Sequence, residues 1–475
     1  MRRQVGYIAG PALALLIMVL PLSLEPRAHA LSAIMTLVVI WWICEVIPLA
    51  ATSLMGVALL VLFDVTDPTT AFSPFAHPLI FLFLGGFILA RAMSVHRLDK
   101  RLALEILTHR LIAGKPERSL IALLGTSFFL SMWISNTATA AMMLPITLGL
   151  MSTLFQEGAP NEDRLLIAVA YSASIGGIAT PVGSPPNVIA LGMMEKLLGT
   201  RPSFLEWMMV CLPLALICVT VLWFWIRPKL PPLPSSINVD EIKELKKNMG
   251  PLSRSGKNVI FALLVAVFLW VGPGLLAVFF GKDDGLYLWL TTHLPEAVTA
   301  ILAAVLLFLL PGSHGQPTLE WKDAVRIDWS SLLLFGGGIS LGTQMFDTGL
   351  AALIGKELIA LTGGGAHPWL FILVCTYFTI FFTETTSNTA SANLLIPLVI
   401  ASSLQVGMDP LIPTLAVALS CSLAFMLPVS TPPNAIMYGS ERVRLTEMVR
   451  MGFMMNMFSG VVILVGMRVL SLLIR

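Results

Sequence analysis

Charge is scarce in this 475-residue chain: Lys, Arg, Asp and Glu together make up 12%, against 56% hydrophobic residues. Soluble domains of ordinary usage carry about twice that share of charge, which excludes a soluble globular class. The five cysteines, Cys44, Cys211, Cys218, Cys375 and Cys421, lie singly in apolar runs without Cys-x-x-Cys spacing. They read as buried free thiols rather than a disulfide framework or a metal site. A phosphate loop, a dinucleotide fingerprint and a His-Glu-x-x-His motif are all missing, so nothing points to an enzyme. The alternating ten-residue units of a membrane barrel are missing too. A net charge of +2 says little about partners.

What is present is apolar length. Runs of about twenty residues recur along nearly the whole chain, each enough to cross a hydrocarbon core about 30 Å thick as a helix. The fold class is therefore an all-α polytopic membrane protein. Arg2 and Arg3 precede a first run from Tyr7 to Leu24. Ala28-His29-Ala30 after it resembles a signal-peptidase site, but the run is long for a signal core and reads as a first spanning helix. Further spans are expected near Leu31–Pro48, Leu49–Phe63, Pro78–Met93, Trp207–Ile226, Val259–Phe280, Ala297–Leu310, Ser331–Phe346 and Met451–Leu473. Ser94–Ala113 is basic and amphipathic and reads as an interfacial helix with Arg97, Lys100, Arg101 and Arg110 toward water, a solvated loop being the alternative. Arg227–Lys257 is a hydrophilic loop, rich in prolines and then lysines, that divides the chain into halves.

One polar block occurs twice inside this apolar sequence. Ser131–Pro145 and Thr383–Pro397 each carry Ser-Asn-Thr-Ala, at Ser135–Ala138 and Ser387–Ala390, with a proline ten positions after the serine. About fifty residues after the first block comes Pro181-Val182-Gly183-Ser184-Pro185-Pro186-Asn187, and at similar distance after the second comes Pro428-Val429-Ser430-Thr431-Pro432-Pro433-Asn434. The first block interrupts residues 118–153 and leaves about sixteen residues on either side, short for a crossing, so this stretch is expected to be a re-entrant hairpin with its tip near mid-membrane. Residues 367–404 form the second hairpin, and 165–198 and 411–437 are broken spans. The sum is about eleven crossings plus two hairpins. With a cytoplasmic amino terminus, the segments Arg91–Arg118, Arg227–Lys257 and Arg442–Arg450 fall inside, and Asp64–His77, without Lys or Arg, falls outside. An odd number of spans separates the hairpins, which makes the repeats inverted in topology.

Serine, asparagine and threonine offer oxygens to a hard cation and O–H or N–H groups to an anion. Helix ends at a break add unpaired carbonyls and amides. A single Ser-Asn-Thr would read as a polar helix-packing contact. Two of them in inverted halves, each followed by Pro-Pro-Asn, point to one shared site. Neither motif contains Lys, Arg, His or Asp, so a bound anion needs a mobile countercharge, for which sodium is the natural candidate. Glu384, just before the second block, is either a hairpin-packing or solvated group or a proton carrier. Glu45, Arg91 and Asp347 read as interfacial, His77 and His367 as caps or loop residues, and Trp41, Trp42, Trp207, Trp289 and Trp369 as interface anchors.

With these motifs the sequence resembles the divalent anion/sodium symporter family, the INDY-type dicarboxylate transporters, over essentially its whole length. The resemblance implies a sodium-coupled importer of C4 dicarboxylates, such as succinate, fumarate and malate, working as a homodimer in the cell inner membrane by an elevator mechanism. A sodium-independent anion exchanger or a citrate or sulfate carrier of the same architecture is the alternative. It further implies a scaffold formed by 1–117 and 258–365 and a transport part formed by 118–226 and 366–475, with 227–257 as the cytoplasmic loop. By motif, one sodium site would use Ser131, Ser135, Asn136 and the backbone at Gly183, and the other Thr383, Thr386, Asn388 and the backbone at Ser430. The substrate carboxylates would meet Ser135, Asn136, Thr137, Ser184, Ser387, Asn388, Thr389 and Thr431.

Overall fold

A computed structural model describes residues 2–156, 158–236, 240–361 and 367–473. The described chain is helical throughout, apart from an isolated bridge between Pro311 and Pro317. Seven helical segments among the described residues are long and apolar enough to cross a membrane unaided: Pro26–Cys44, Pro68–Val95, Asn136–Leu154, Phe204–Lys229, Arg254–Phe280, Pro368–Thr385 and Leu445–Leu472. The pair Gly285–His293 and Glu296–Leu309, bent by 66°, makes an eighth if counted as one. Shorter apolar helices, Leu49–Leu62 and Leu411–Cys421, account for other expected spans.

Both polar blocks break helices where the sequence placed them. Pro116–Ser131 is followed by Asn136–Leu154, and Pro368–Thr385 by Asn388–Gln405. Three of the four arms are longer than about sixteen residues, at 19 for Asn136–Leu154 and 18 each for Pro368–Thr385 and Asn388–Gln405, against 16 for Pro116–Ser131. Ser135 and Ser387 cap the second arms directly, accepting from the backbone N–H of Ala138 at 3.2 Å and of Ala390 at 3.1 Å, so the tips are short, residues 132–135 in the first hairpin and 386–387 in the second. The broken spans divide as Asp163–Gly177 and Pro185–Leu198 in the first half, and as Leu411–Cys421 and Pro432–Tyr438 in the second. Proline at the first positions of both following half-helices fits a fixed φ and a missing donor.

The packing of these pieces is reciprocal. In each half the first piece of the broken span lies against the first arm of its own hairpin, Asp163–Gly177 on Pro116–Ser131 and Leu411–Cys421 on Pro368–Thr385. The second piece crosses over: Pro185–Leu198 packs on Asn388–Gln405, and Pro432–Tyr438 on Asn136–Leu154. Four chain breaks are thereby drawn to one place. Around them, Pro78–Val95 packs on Glu296–Leu309, and Trp329–Asp347 on Leu49–Leu62.

Several expectations are corrected. The interfacial helix runs only from Leu98 to Leu107, and Arg101, instead of facing water, donates to the carbonyls of Gly250 at 2.5 Å and Met249 at 3.3 Å. Those carbonyls follow a short helix, Asp240–Asn248, inside the hydrophilic loop. Trp42 and Trp207 are buried rather than interfacial, and the Trp207 indole N–H donates to Ile178 O at 3.1 Å, as a buried indole requires. Ala28 and Ala30 are buried within Pro26–Cys44, and all five cysteines are free thiols. His77 caps Pro78–Val95 by accepting from Leu79 N–H, whereas His367 makes no side-chain cap. The boundary expected near residue 365 lies outside the described residues.

Candidate functional site

The four breaks line one cavity of about 510 Å³, within the usual range for small-molecule sites. The structure brings Ser135, Asn136, Thr137, Ser184, Ser387, Asn388, Thr389 and Thr431 together on its wall. Of the residues assigned to cations, Ser135, Asn136, Gly183, Asn388 and Ser430 also line it. Ser131 and Thr383 stand behind the tips and are fully buried. Thr386 is turned away: its hydroxyl meets Ser391 Oγ at 2.5 Å and donates to Phe382 O at 3.2 Å.

The two tips are built alike. Ser131 Oγ donates to Asn136 Oδ1 at 2.6 Å, and Thr383 Oγ1 donates to Asn388 Oδ1 at 2.9 Å. Each asparagine carbonyl is therefore held among oxygens behind the tip, while its amide N–H groups have no partner among the described residues and remain available to an anion. Ser135 and Ser387 use one lone pair each as caps, which leaves their O–H groups to donate into the cavity. The second arms begin at the cavity, so their unpaired amides favour negative charge there.

The broken spans show the same correspondence. Asn187 Nδ2 donates to Gly177 O and Thr180 O, both at 2.8 Å, and Asn434 Nδ2 donates to Ala424 O at 3.3 Å and Leu427 O at 3.1 Å. In both motifs the asparagine clasps carbonyls ten and seven residues earlier and ties the two pieces of the break together. Ser184 Oγ meets Ser422 Oγ at 3.0 Å, a contact between the halves.

Close backbone approach completes the first tip. A Cβ on Gly183 would lie 2.6 Å from Gly177 O and 3.1 Å from Ser131 O, and one on Gly177 would lie 2.4 Å from Asn136 Oδ1. Carbonyl oxygens of Gly177 and Ser131 therefore stand beside Gly183, and Asn136 Oδ1 stands beside Gly177, oxygens of the kind a small hard cation takes. At the second tip Thr383 Oγ1 also donates to Cys421 O at 3.0 Å.

Glu384 has the packing role foreseen as one alternative. It is 4% exposed and accepts from the backbone N–H groups of Phe425 at 2.6 Å, Met426 at 2.8 Å and Leu427 at 3.2 Å, from Asn456 Nδ2 at 2.8 Å, and from Ser430 Oγ. A buried carboxylate so fully hydrogen-bonded fixes the loop that carries Ser430 and Thr431.

Sequence reasoning missed two arginines. Arg91, read as interfacial, and Arg326, not singled out, both line the cavity, with Asp328 beside them. Their signal is absent from the motifs because they come from Pro78–Val95 and from just ahead of Trp329–Asp347. Among the described residues no group of three or more His, Cys, Asp or Glu could hold a metal.

Interlocked helical repeats with four polar breaks facing one cavity, in a chain of this apolarity, define a multi-pass membrane protein of the transporter class. The chain matches the family described as "Sodium:sulfate symporter transmembrane region" over residues 2–473, and it belongs to that family. It is 34% identical over 479 residues to the sodium-dependent dicarboxylate transporter SdcS of Staphylococcus saprophyticus, covering 97% of this chain and 89% of the relative. The protein of the same name from Staphylococcus aureus is 34% identical over 480 residues, with the same shares covered. Its fold is similar to that of the Alcanivorax borkumensis YdaH transporter, at a TM-score of 0.55 and 11% identity over 94% of this chain and 97% of the other.

Proposed function

We propose that this protein imports C4 dicarboxylates, such as succinate, fumarate and malate, by coupling them to sodium. The observation that carries the reading is the convergence of both Ser-Asn-Thr tips and both Pro-Pro-Asn breaks on one cavity. The substrate carboxylates meet the hydroxyls of Ser135, Thr137, Ser184, Ser387, Thr389 and Thr431 and the amides of Asn136 and Asn388. One sodium binds among Ser131, Ser135, Asn136 and the Gly183 backbone, and the other among Thr383, Thr386, Asn388 and the Ser430 backbone, where the Thr386 hydroxyl must first leave Ser391. The tips carry no cationic side chain, so sodium offsets the dianion in a low-dielectric site. The names of the SdcS relatives support this cargo.

In this reading the hairpins are re-entrant and the repeats inverted. The transport part, 118–226 and 366–475, moves elevator-fashion against a scaffold of 1–117 and 258–365 that forms a homodimer in the inner membrane. The amino terminus is cytoplasmic. Arg91 lines the cavity, and with a cytoplasmic amino terminus its segment falls on the inner face, so in this reading the conformation opens toward the cytoplasm. Uptake of labelled succinate by the full-length protein in liposomes, with and without an inward sodium gradient, tests the proposal. Sodium-dependent uptake is expected. Uptake that ignores sodium but requires dicarboxylate inside would make the protein an exchanger, and uptake of sulfate or citrate alone would reassign the cargo.

A further inference from the structure

The deep wall of the cavity is neutral, but its mouth is not. Arg91 lies near the end of Pro78–Val95, and its hold on the protein is loose: Nε donates to Asp323 O at 3.3 Å, and the guanidinium stands 3.8 Å from Asp323 Oδ1, beyond hydrogen-bond reach. An arginine has five N–H donors, so most of those on Arg91 remain unused. Arg326 is exposed at the cavity, and its side chain has no hydrogen bond or ion pair among the described residues. The acid on the same lining, Asp328, accepts from Ser331 N–H at 3.1 Å and from Ser331 Oγ as the cap of Trp329–Asp347. Two cations with spare donors thus line the same cavity as the hairpin tips.

We propose that Arg91 and Arg326 form a carboxylate-docking station for the dianion, separate from the neutral site at the tips. This inference rests on the proposed function. Planar guanidinium groups grip a carboxylate with paired N–H donors, and spare cationic donors on a low-dielectric wall raise the local concentration of the opposite charge. Docking at the wet mouth spares the anion an unassisted approach, and the handover inward takes place where sodium supplies the countercharge. Both arginines sit on the elements assigned to the scaffold, 1–117 and 258–365. They do not travel with the tips. The station therefore serves one face of the membrane only, and the two faces differ in apparent affinity for the same dianion.

The test measures succinate concentration dependence of full-length protein in vesicles of both orientations, comparing wild type, Arg91→Gln, Arg326→Gln, the double variant and the Lys substitutions. The double Gln variant is expected to weaken apparent affinity about tenfold on the Arg91 face, to flatten its dependence on ionic strength, and to leave the opposite face unchanged. The Lys variants should recover most of that loss. Asp323→Asn, which removes the carboxylate charge 3.8 Å from Arg91 and keeps the backbone hydrogen bond, should strengthen affinity on the same face and keeps the idea testable if the double variant fails to fold. Equal changes on both faces, or none on either, would overturn the station. Absence of sodium-driven uptake in the wild type would instead overturn the functional reading beneath it.

Discussion

At the first hairpin tip, position 132 is methionine; at the matching position of the second, 384, it is glutamate. The breaks differ in step with this. Gly177 and Gly183 occupy places held in the second half by Ala424 and Ser430. The first repeat sets its tip against its break by bringing backbone within touching distance, at Gly183 against Gly177 O and Ser131 O. The second leaves more room and fills it with a carboxylate that gathers the amides of Phe425, Met426 and Leu427, the amide of Asn456 and the Ser430 hydroxyl. Both routes hold the Ser131–Asn136 and Thr383–Asn388 pairs in one geometry. The same site geometry can thus be scaffolded by steric approach or by a saturated buried charge, because either removes the freedom of a broken helix to re-form elsewhere.

The strongest way to break the comparison is at the asparagines. Asn136→Ala and Asn388→Ala should each reduce uptake about 100-fold or more while the protein elutes unchanged from size exclusion, since each loses an amide that lines the cavity. Normal uptake by one variant would show that the tips are not equivalent partners. Next comes the exchange of scaffolding. Met132→Glu buries a carboxylate with no donors and should cost about 3–5 kcal/mol, seen as loss of folded protein in detergent thermal unfolding. Glu384→Gln, which keeps the shape but turns some accepted bonds into clashes of donors, should cost about 1–3 kcal/mol.

Smaller effects sharpen the contrast. Gly183→Ala forces its Cβ against backbone and should destabilise by about 1–3 kcal/mol, and weaken sodium dependence more than succinate affinity at saturating sodium. Ser430→Ala should cost only about 1 kcal/mol, because Glu384 keeps its other donors. The smallest difference is expected between the clasps: Asn187→Ala and Asn434→Ala should destabilise alike, by about 1–2 kcal/mol each. Unequal losses there would show that the breaks, like the tips, are held by different means.

Much of this arrangement was legible in the residues. Ser135 and Ser387 announce helix starts because a serine hydroxyl satisfies amides that nothing else pairs, and Pro185 and Pro432 announce them because proline needs no donor at a first turn. The positions that converge on the cavity were readable from their repetition. Other features were not. The burial of Trp42 and Trp207 depends on which helix packs beside them, and a tryptophan near the end of an apolar run looks the same in either setting. Glu384 could be read as packing group or proton carrier because its five donors come from residues 425 to 456, distant in sequence. Arg91 looked interfacial for a similar reason: its position along a span says how deep it lies, not which cavity opens beside it.

The sequence by itself determined that the chain is helical and membrane-embedded, where its helices break, and that the breaks come in two matching sets, because hydrophobic length, proline and helix capping act within a few residues. Only the tertiary structure decided that Pro185–Leu198 and Pro432–Tyr438 cross to the opposite hairpins, that a carboxylate replaces glycine contact at the second tip, and that two arginines face the neutral site. Those outcomes depend on close packing between segments far apart in the chain, and local preference carries no information about which distant surface a helix will meet.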